Sequence, residues 1–321
     1  MLERTVHDNP TGSNRVLRAA FIALSENRWL RRLAESSSLG HRVSERFVAG
    51  TTVEEALKAT QETNALGMSV SLDNLGENVT NANEARHSAE LYHQLLDRIN
   101  ERKLDANVSL KLTHMGFDVD QQLATDITGA LVQHARQKRN FVRVDMEGSP
   151  YTQRTLDLVR AIHSHNGNRG TVGAVIQAYL RRSESDVRKL TSEGIRIRLC
   201  KGAYKEPPEI AFPDKSDVDA NYVNLMKILL KSSVYHGIAT HDEKMIEATI
   251  AFARSENIPA SAFEFQMLYG IRRDLQRGLV KQGWRMRVYI PFGTEWYPYF
   301  MRRLAERPAN ALFVARNLLR S

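Results

Sequence analysis

Two cations three residues apart, Arg198 and Lys201, stand where an apolar strand pattern gives out. In the stretch IRIRLCKGAY, Ile195, Ile197 and Leu199 alternate with Arg196 and Arg198 at the two-residue period of a pleated strand, and Gly194 supplies a break before them. Cys200, Lys201, Gly202 and Ala203 then suit a turn whose backbone amides approach a ligand closely. Parallel α/β sheets carry their chemistry at the carboxyl ends of strands, which is where this pair would sit. An edge strand with a solvated Arg face fits the same ten residues, so this stretch leaves both readings open.

A second constellation lies near the C-terminus. In PYFMRRLAERP, Pro298 and Pro308 frame a short helix with Arg302 and Arg303 in succession. Adjacent helical residues point about 100° apart, so such a pair grips only a ligand that comes between them, and a carboxylate suits it. A solvated pair is the plain alternative. Lys111 and Lys201 admit another class, a barrel lyase or aldolase that forms a Schiff base on a desolvated lysine. His163-Ser-His165 has ligand-like spacing but falls at a helix end, and His241 has no second histidine or cysteine in a matching position, so a metal site is disfavoured. Gly167, Gly170 and Gly173 precede a strand and have the wrong spacing for a dinucleotide fingerprint, and no Walker-type Gly-Lys-Ser/Thr occurs.

The elements that must position these residues repeat in type. A capping box, Thr52 to Glu55, opens a helix to about Ala65. From Gly67 onward come short apolar runs at Met68–Leu72, Asn107–Leu112, Phe141–Asp145, Val172–Gln177, Ile195–Leu199, Val234–Ala239, Ala262–Phe265 and Met286–Ile290, with amphipathic helices between them. Such a count over this length is that of a (β/α)₈ barrel; a doubly wound sheet needs fewer strands. The runs end on polar residues: Asp73 and Glu77, Lys111, Asp145 and Glu147, Gln177 with Tyr179, Arg198 with Lys201, Thr240 with His241, Gln266, and Tyr289 with Pro291. Any one of these fits a helix cap, but their coincidence favours one shared site and the core reading of Ile195–Leu199. The expected organisation is a helical arm over 1–48 and a barrel domain over 49–321.

With 321 residues, 42% hydrophobic and 26% charged, the chain has an ordinary globular composition. No signal peptide and no run of eighteen apolar residues is present, and the single cysteine, Cys200, rules out an internal disulfide; a cytoplasmic protein is expected. The formal net charge of +8 is spread among 37 acidic residues without aromatic interleaving, which argues against nucleic-acid binding and for a basic surface open to an anionic cofactor or substrate.

Taken together, RFVAG (46–50), LDNLGENV (72–79), VSLKLTHMG (108–116), FVRVDMEGS (141–149), VIQAYLRR (175–182), IRLCKGAY (197–204), ATHD (239–242), FEFQMLYGIR (263–272) and VYIPFGTEWYPYFMRRLAER (288–307) resemble the proline dehydrogenase family, in its monofunctional bacterial form. Cys200 replaces a residue that is often aliphatic in the family, and Tyr269 one that is often histidine. The resemblance implies a distorted (β/α)₈ barrel whose last helix lies over the mouth, and FAD-dependent oxidation of L-proline to Δ1-pyrroline-5-carboxylate. It implies substrate contacts at Lys111, Tyr204, Leu268, Tyr289, Tyr299, Arg302 and Arg303. Flavin contacts are implied at Met146, Gln177, Arg198, Cys200, Lys201, Gly202, Thr240, His241 and Gln266. Arg198 would lie beside flavin N5. Asp145 would pair with Lys111 or Arg302 and hold the cluster in register, with a base toward the proline nitrogen as its other role. Electrons would pass to a membrane quinone, with peripheral contact at the inner face of the membrane, and the product to a separate pyrroline-5-carboxylate dehydrogenase.

Overall fold

The strand alternation resolves into two sets of side chains with different destinations. The computed structural model describes residues 46–306 apart from 77–78 and 166, with side chains as far as Met301. In chain order the elements are α1 (Val53–Ala65), β1 (Ser69–Asn74), α2 (Ala82–Glu101), β2 (Ala106–Leu110), α3 (Gln121–Gln137), β3 (Val142–Val144), α4 (Ser149–Ser164) and β4 (Val172–Gln177). There follow α5 (Ser183–Ser192), β5 (Arg196–Cys200), α6 (Lys215–Lys231), β6 (His236–Ala239), α7 (Glu243–Ser255), β7 (Phe263–Leu268), α8 (Arg273–Lys281), β8 (Met286–Phe292) and α9 (Trp296–Glu306). The strands pair in parallel in sequence order, and β8 closes on β1 through Ser71 opposite Tyr289 and Asp73 opposite Pro291. Each expected apolar run coincides with a strand to within three residues at either end.

Val70, Leu72, Val108, Leu110, Val142, Val144, Ile197, Leu199 and Phe265 are fully buried in the large apolar core. The alternate set faces the lumen, as contacts between non-adjacent strands show: Arg198 on β5 bonds Ser71 on β1 and Ser109 on β2. Barrel interiors are ordinarily filled by bulky branched side chains. Here the lumen holds Ser71, Ser109, Arg143, Arg198, Glu264, Gln266, Arg287 and Tyr289, so the barrel is polar inside and apolar beneath its helices.

Local signals start the helices. Thr52 and Glu55 form the expected capping box of α1, with Thr52 Oγ1 accepting from the Glu55 amide at 3.3 Å and Glu55 Oε2 accepting from the Thr52 amide at 2.9 Å. Asn81 caps α2, Asp120 α3 and Asp242 α7.

The last helix departs from the outer ring. Trp296, Tyr297, Tyr299, Phe300 and Met301 of α9 pack with Phe47, Val48, Leu75 and Ile271. Leu75 and Ile271 follow β1 and β7, so α9 lies on the carboxyl-end face of the barrel, as expected. The arm expected over 1–48 lies outside the described residues except for Arg46, Phe47 and Val48.

Candidate active site

Arg198 spans the lumen. Its Nε donates to Gln266 Oε1 at 2.5 Å, Nη1 to Asp145 Oδ1 at 2.6 Å and to Ser109 Oγ at 3.2 Å, and Nη2 to Ser71 Oγ at 3.2 Å. A guanidinium has five N–H donors, so these four bonds leave one for a ligand. The residue is buried, and its guanidinium carbon lies 5.1 Å from the centre of the Tyr289 ring. Gly237 makes room for this arrangement, since a Cβ there would stand 2.3 Å from Gln266 Nε2.

A second ion pair sits at the ends of β1 and β2, where Lys111 Nζ is 3.2 Å from Asp73 Oδ2. Burial raises the Asp73 pKa and Lys111 pulls it back, with Asp145 adding repulsion. Tyr289 donates to Asp145 Oδ2 at 2.9 Å, and burial followed by the charges of Asp145 and Asp73 holds its phenol well above the usual range. Tyr92 ties the outer wall to the site, donating to the Ser109 carbonyl at 2.9 Å and accepting from the Asn74 amide at 3.1 Å.

At the other rim, Gln177 donates Nε2 to the carbonyls of Met146 and Glu147, both at 3.3 Å, while its buried Oε1 has no partner. Gly202 has φ +104°, and a Cβ on it would stand 2.2 Å from the Tyr179 ring. Lys201 is held by Asp219 and, at 2.7 Å, by Asp242. His241 Nε2 accepts from the Leu268 amide at 2.9 Å. Thr240 is buried, its Oγ1 accepting from the Asp242 amide at 3.0 Å. Burial pushes the Cys200 thiol up to about 12, so it contributes bulk and not a thiolate.

The structure therefore joins Lys111, Asp145, Arg198, Gln266 and Tyr289 into one connected cluster and gathers Met146, Gln177, Cys200, Lys201, Gly202, Thr240 and His241 at the ends of β3 to β6. Leu268 is half-buried at the end of β7, and Tyr299 is buried on α9. Tyr204 stands apart, 45% exposed on the loop after β5. Arg302 and Arg303 are on α9 at the mouth, but their side chains, like Glu77, lie outside the described residues.

Of the two partners expected for Asp145, Arg302 has its side chain outside the described residues, and Lys111 needs correction. Asp145 receives Arg198, Ser109 and Tyr289, which engage both of its oxygens, and Lys111 takes Asp73 on the other neighbouring strand. Solvated-edge and Schiff-base readings also lose support: Arg198 is buried in a central strand, and both lysines are ion-paired. His163, of the ligand-like pair, meets the Glu193 carbonyl at 3.1 Å through Nε2. Sequence reasoning marked Asp73 only as a polar strand end, without a role, and passed over Ser71, Ser109, Glu264 and Arg287 altogether. Polar residues at every second position of β1, β2, β7 and β8 were the available signal.

Comparison with known proteins decides the family. The sequence profile described as "Proline dehydrogenase" matches residues 56–316. The chain is 43% identical over 307 residues to Proline dehydrogenase 1 of Bacillus subtilis (strain 168), covering 95% of this chain and 100% of the relative. The chain belongs to the proline dehydrogenase family. It is likewise 37% identical over 310 residues to Proline dehydrogenase of Deinococcus radiodurans, with 96% and 99% covered. Among solved structures, proline utilization A (PutA) from Bdellovibrio bacteriovorus, inactivated by N-propargylglycine, superposes with a TM-score of 0.79 at 26% identity, over 91% of this chain and 36% of that one. Family membership makes the chain an oxidoreductase acting at the first step of proline catabolism and implies a flavin cofactor.

Proposed function

We propose that the cofactor is FAD and that the chain oxidises L-proline to Δ1-pyrroline-5-carboxylate, with the electrons passing on to a quinone. The residues present fit such a cofactor: the unpartnered Gln177 Oε1 and the remaining N–H of Arg198 offer one acceptor and one cationic donor. A bound flavin would supply the hydride acceptor for oxidation of the proline ring.

The chain's own residues supply position and field. A proline carboxylate needs cations, which Lys111 and, from α9, Arg302 and Arg303 provide, while Leu268, Tyr289 and Tyr299 offer the apolar walls its ring needs. Clamped at the carboxylate, the ring is oriented with C5 toward the lumen. Asp73 keeps Lys111 in its place, and Asp145 does the same for Arg198. Arg198 is the observation that carries this reading: a cation buried at the end of a central strand and anchored from β1, β2, β3 and β7, which would stabilise negative charge building up on a bound flavin.

The test is spectroscopic. Purified protein should be yellow with noncovalently bound FAD, and anaerobic L-proline should bleach the visible bands. Protein that turns over proline while colourless would overturn the proposal.

A further inference from the structure

Below the level of Asp145 the lumen is strongly cationic. Arg143 is buried and donates Nη1 to the carbonyls of Ala174 at 2.8 Å and Arg196 at 2.7 Å. Burial, then the nearby charge of Arg198, push its pKa well below the ordinary value, with Arg196 acting in the same direction. Into this group β7 places one carboxylate, Glu264, 4% exposed. Its Oε1 accepts from Arg287 Nε at 2.7 Å and from Gln266 Nε2 at 2.6 Å, and Oε2 accepts from Tyr235 at 3.0 Å. Burial alone would raise the Glu264 pKa, but the Arg287 charge and these three donated bonds outweigh it and hold the group below its usual range.

The amide of Gln266 connects this carboxylate to the site. Glu264 can only accept and Arg198 can only donate, so the amide has a single orientation, nitrogen toward Glu264 and oxygen toward Arg198. The chain of bonds runs from Arg287 to Glu264, Gln266, Arg198 and Asp145 without a break. No part of it depends on the helices outside the barrel.

We propose that Glu264 is a positioning residue for the redox centre: as the counter-charge of the lumen floor it fixes Gln266 and offsets the arginine field, so that the flavin potential is lower than the arginines alone would set it. This rests on the flavin reading above. An isosteric loss of the charge should therefore act opposite to the loss of Arg198.

Glu264→Gln in the FAD-loaded protein is the direct test. Its Oε1 can still accept from Arg287 and Gln266, and its amide nitrogen, in the place of Oε2, donates to the Tyr235 hydroxyl instead of accepting from it, so the contacts survive while the charge goes. The expected result is an upward shift of the flavin midpoint potential, read as a larger reduced fraction at a fixed proline-to-product ratio. An unchanged or lowered potential would overturn the proposal, even with a lower melting temperature. Where Glu264→Gln is not recovered folded, Arg287→Gln is compared with Arg287→Gln/Glu264→Gln. Gln266, Tyr235 and the new amide still donate to the carboxylate in the first, so the second should show the same upward step, and its absence overturns the proposal equally. Wild-type protein that takes up no FAD would instead sink the flavin reading, which keeps the two failures distinguishable.

Discussion

Arg198 Nη1 lies 2.6 Å from Asp145 Oδ1, an ion pair inside the barrel whose side chains are 8% and 13% exposed. Buried pairs of this kind resist the loss of one partner, because the other is left charged in a medium that solvates it poorly. The pair also places a guanidinium at the carboxyl end of β5.

Arg198→Met keeps the length of the side chain and removes the charge. The flavin midpoint potential should fall and proline reduction should slow about a hundredfold, even where FAD is retained. Potentiometry against wild type checks it; an equal potential would place Arg198 away from the flavin.

Lys111→Met should cost about 3 kcal/mol of stability, since it leaves Asp73 buried without its cation. Pairing it with Asp73→Asn should return part of that loss, and a double-mutant cycle in urea measures the coupling. Strictly additive losses would mean that the two residues do not act as a pair.

For Arg302→Met and Arg303→Met, a weakening of proline by roughly ten- to a hundredfold is expected, mostly in KM, because charge-assisted bonds to a desolvated carboxylate are worth about 1.5 to 3 kcal/mol each. Prolinamide lacks that charge and should lose little further affinity in either variant. Proportional loss of both ligands would show instead that the arginines hold α9 over the mouth.

Stability should decline as the pH drops below the ordinary histidine range. Burial, then the charges of Arg143 and Arg196, lower the His236 pKa to about 3, and burial, then Lys111, lower that of His114 to about 4. Both groups have folded pKa values below the unfolded 6.5, so the unfolded chain takes up protons first. Their contribution is complete above pH 6.5 and is lost progressively as pH falls toward 4 and 3, each unit of depression being about 1.4 kcal/mol. His236 Nδ1 accepts from the Ile197 amide at 3.0 Å, so His236→Gln should flatten the dependence of melting temperature on pH between 6.5 and 4. A variant with the wild-type slope would refute the assignment.

Borohydride added with substrate should trap nothing on Lys111 or Lys201. Lys201 is held by Asp219 and Asp242, and Lys111 by Asp73, whereas a Schiff-base lysine must present a free amine. Mass spectrometry of the treated protein decides the point.

Periodicity and local caps were enough to reveal the barrel. Alternation at Ile195, Ile197 and Leu199, the Thr52–Glu55 capping box and the regular return of short apolar runs are signals between neighbours in the chain, and each element formed where they lie. Polar strand ends likewise marked the carboxyl-end face, since βα order alone puts all of those ends on one side. Partners were a different matter. That Asp145 holds Arg198, that Asp73 takes Lys111, and that Glu264 reaches Arg198 through Gln266 depend on closure of β8 against β1 and on the register between strands. A strand shows which residues share a face; only the closed barrel decides which strand they meet across the lumen, because opposite walls are brought together by curvature and stagger that no local pattern encodes.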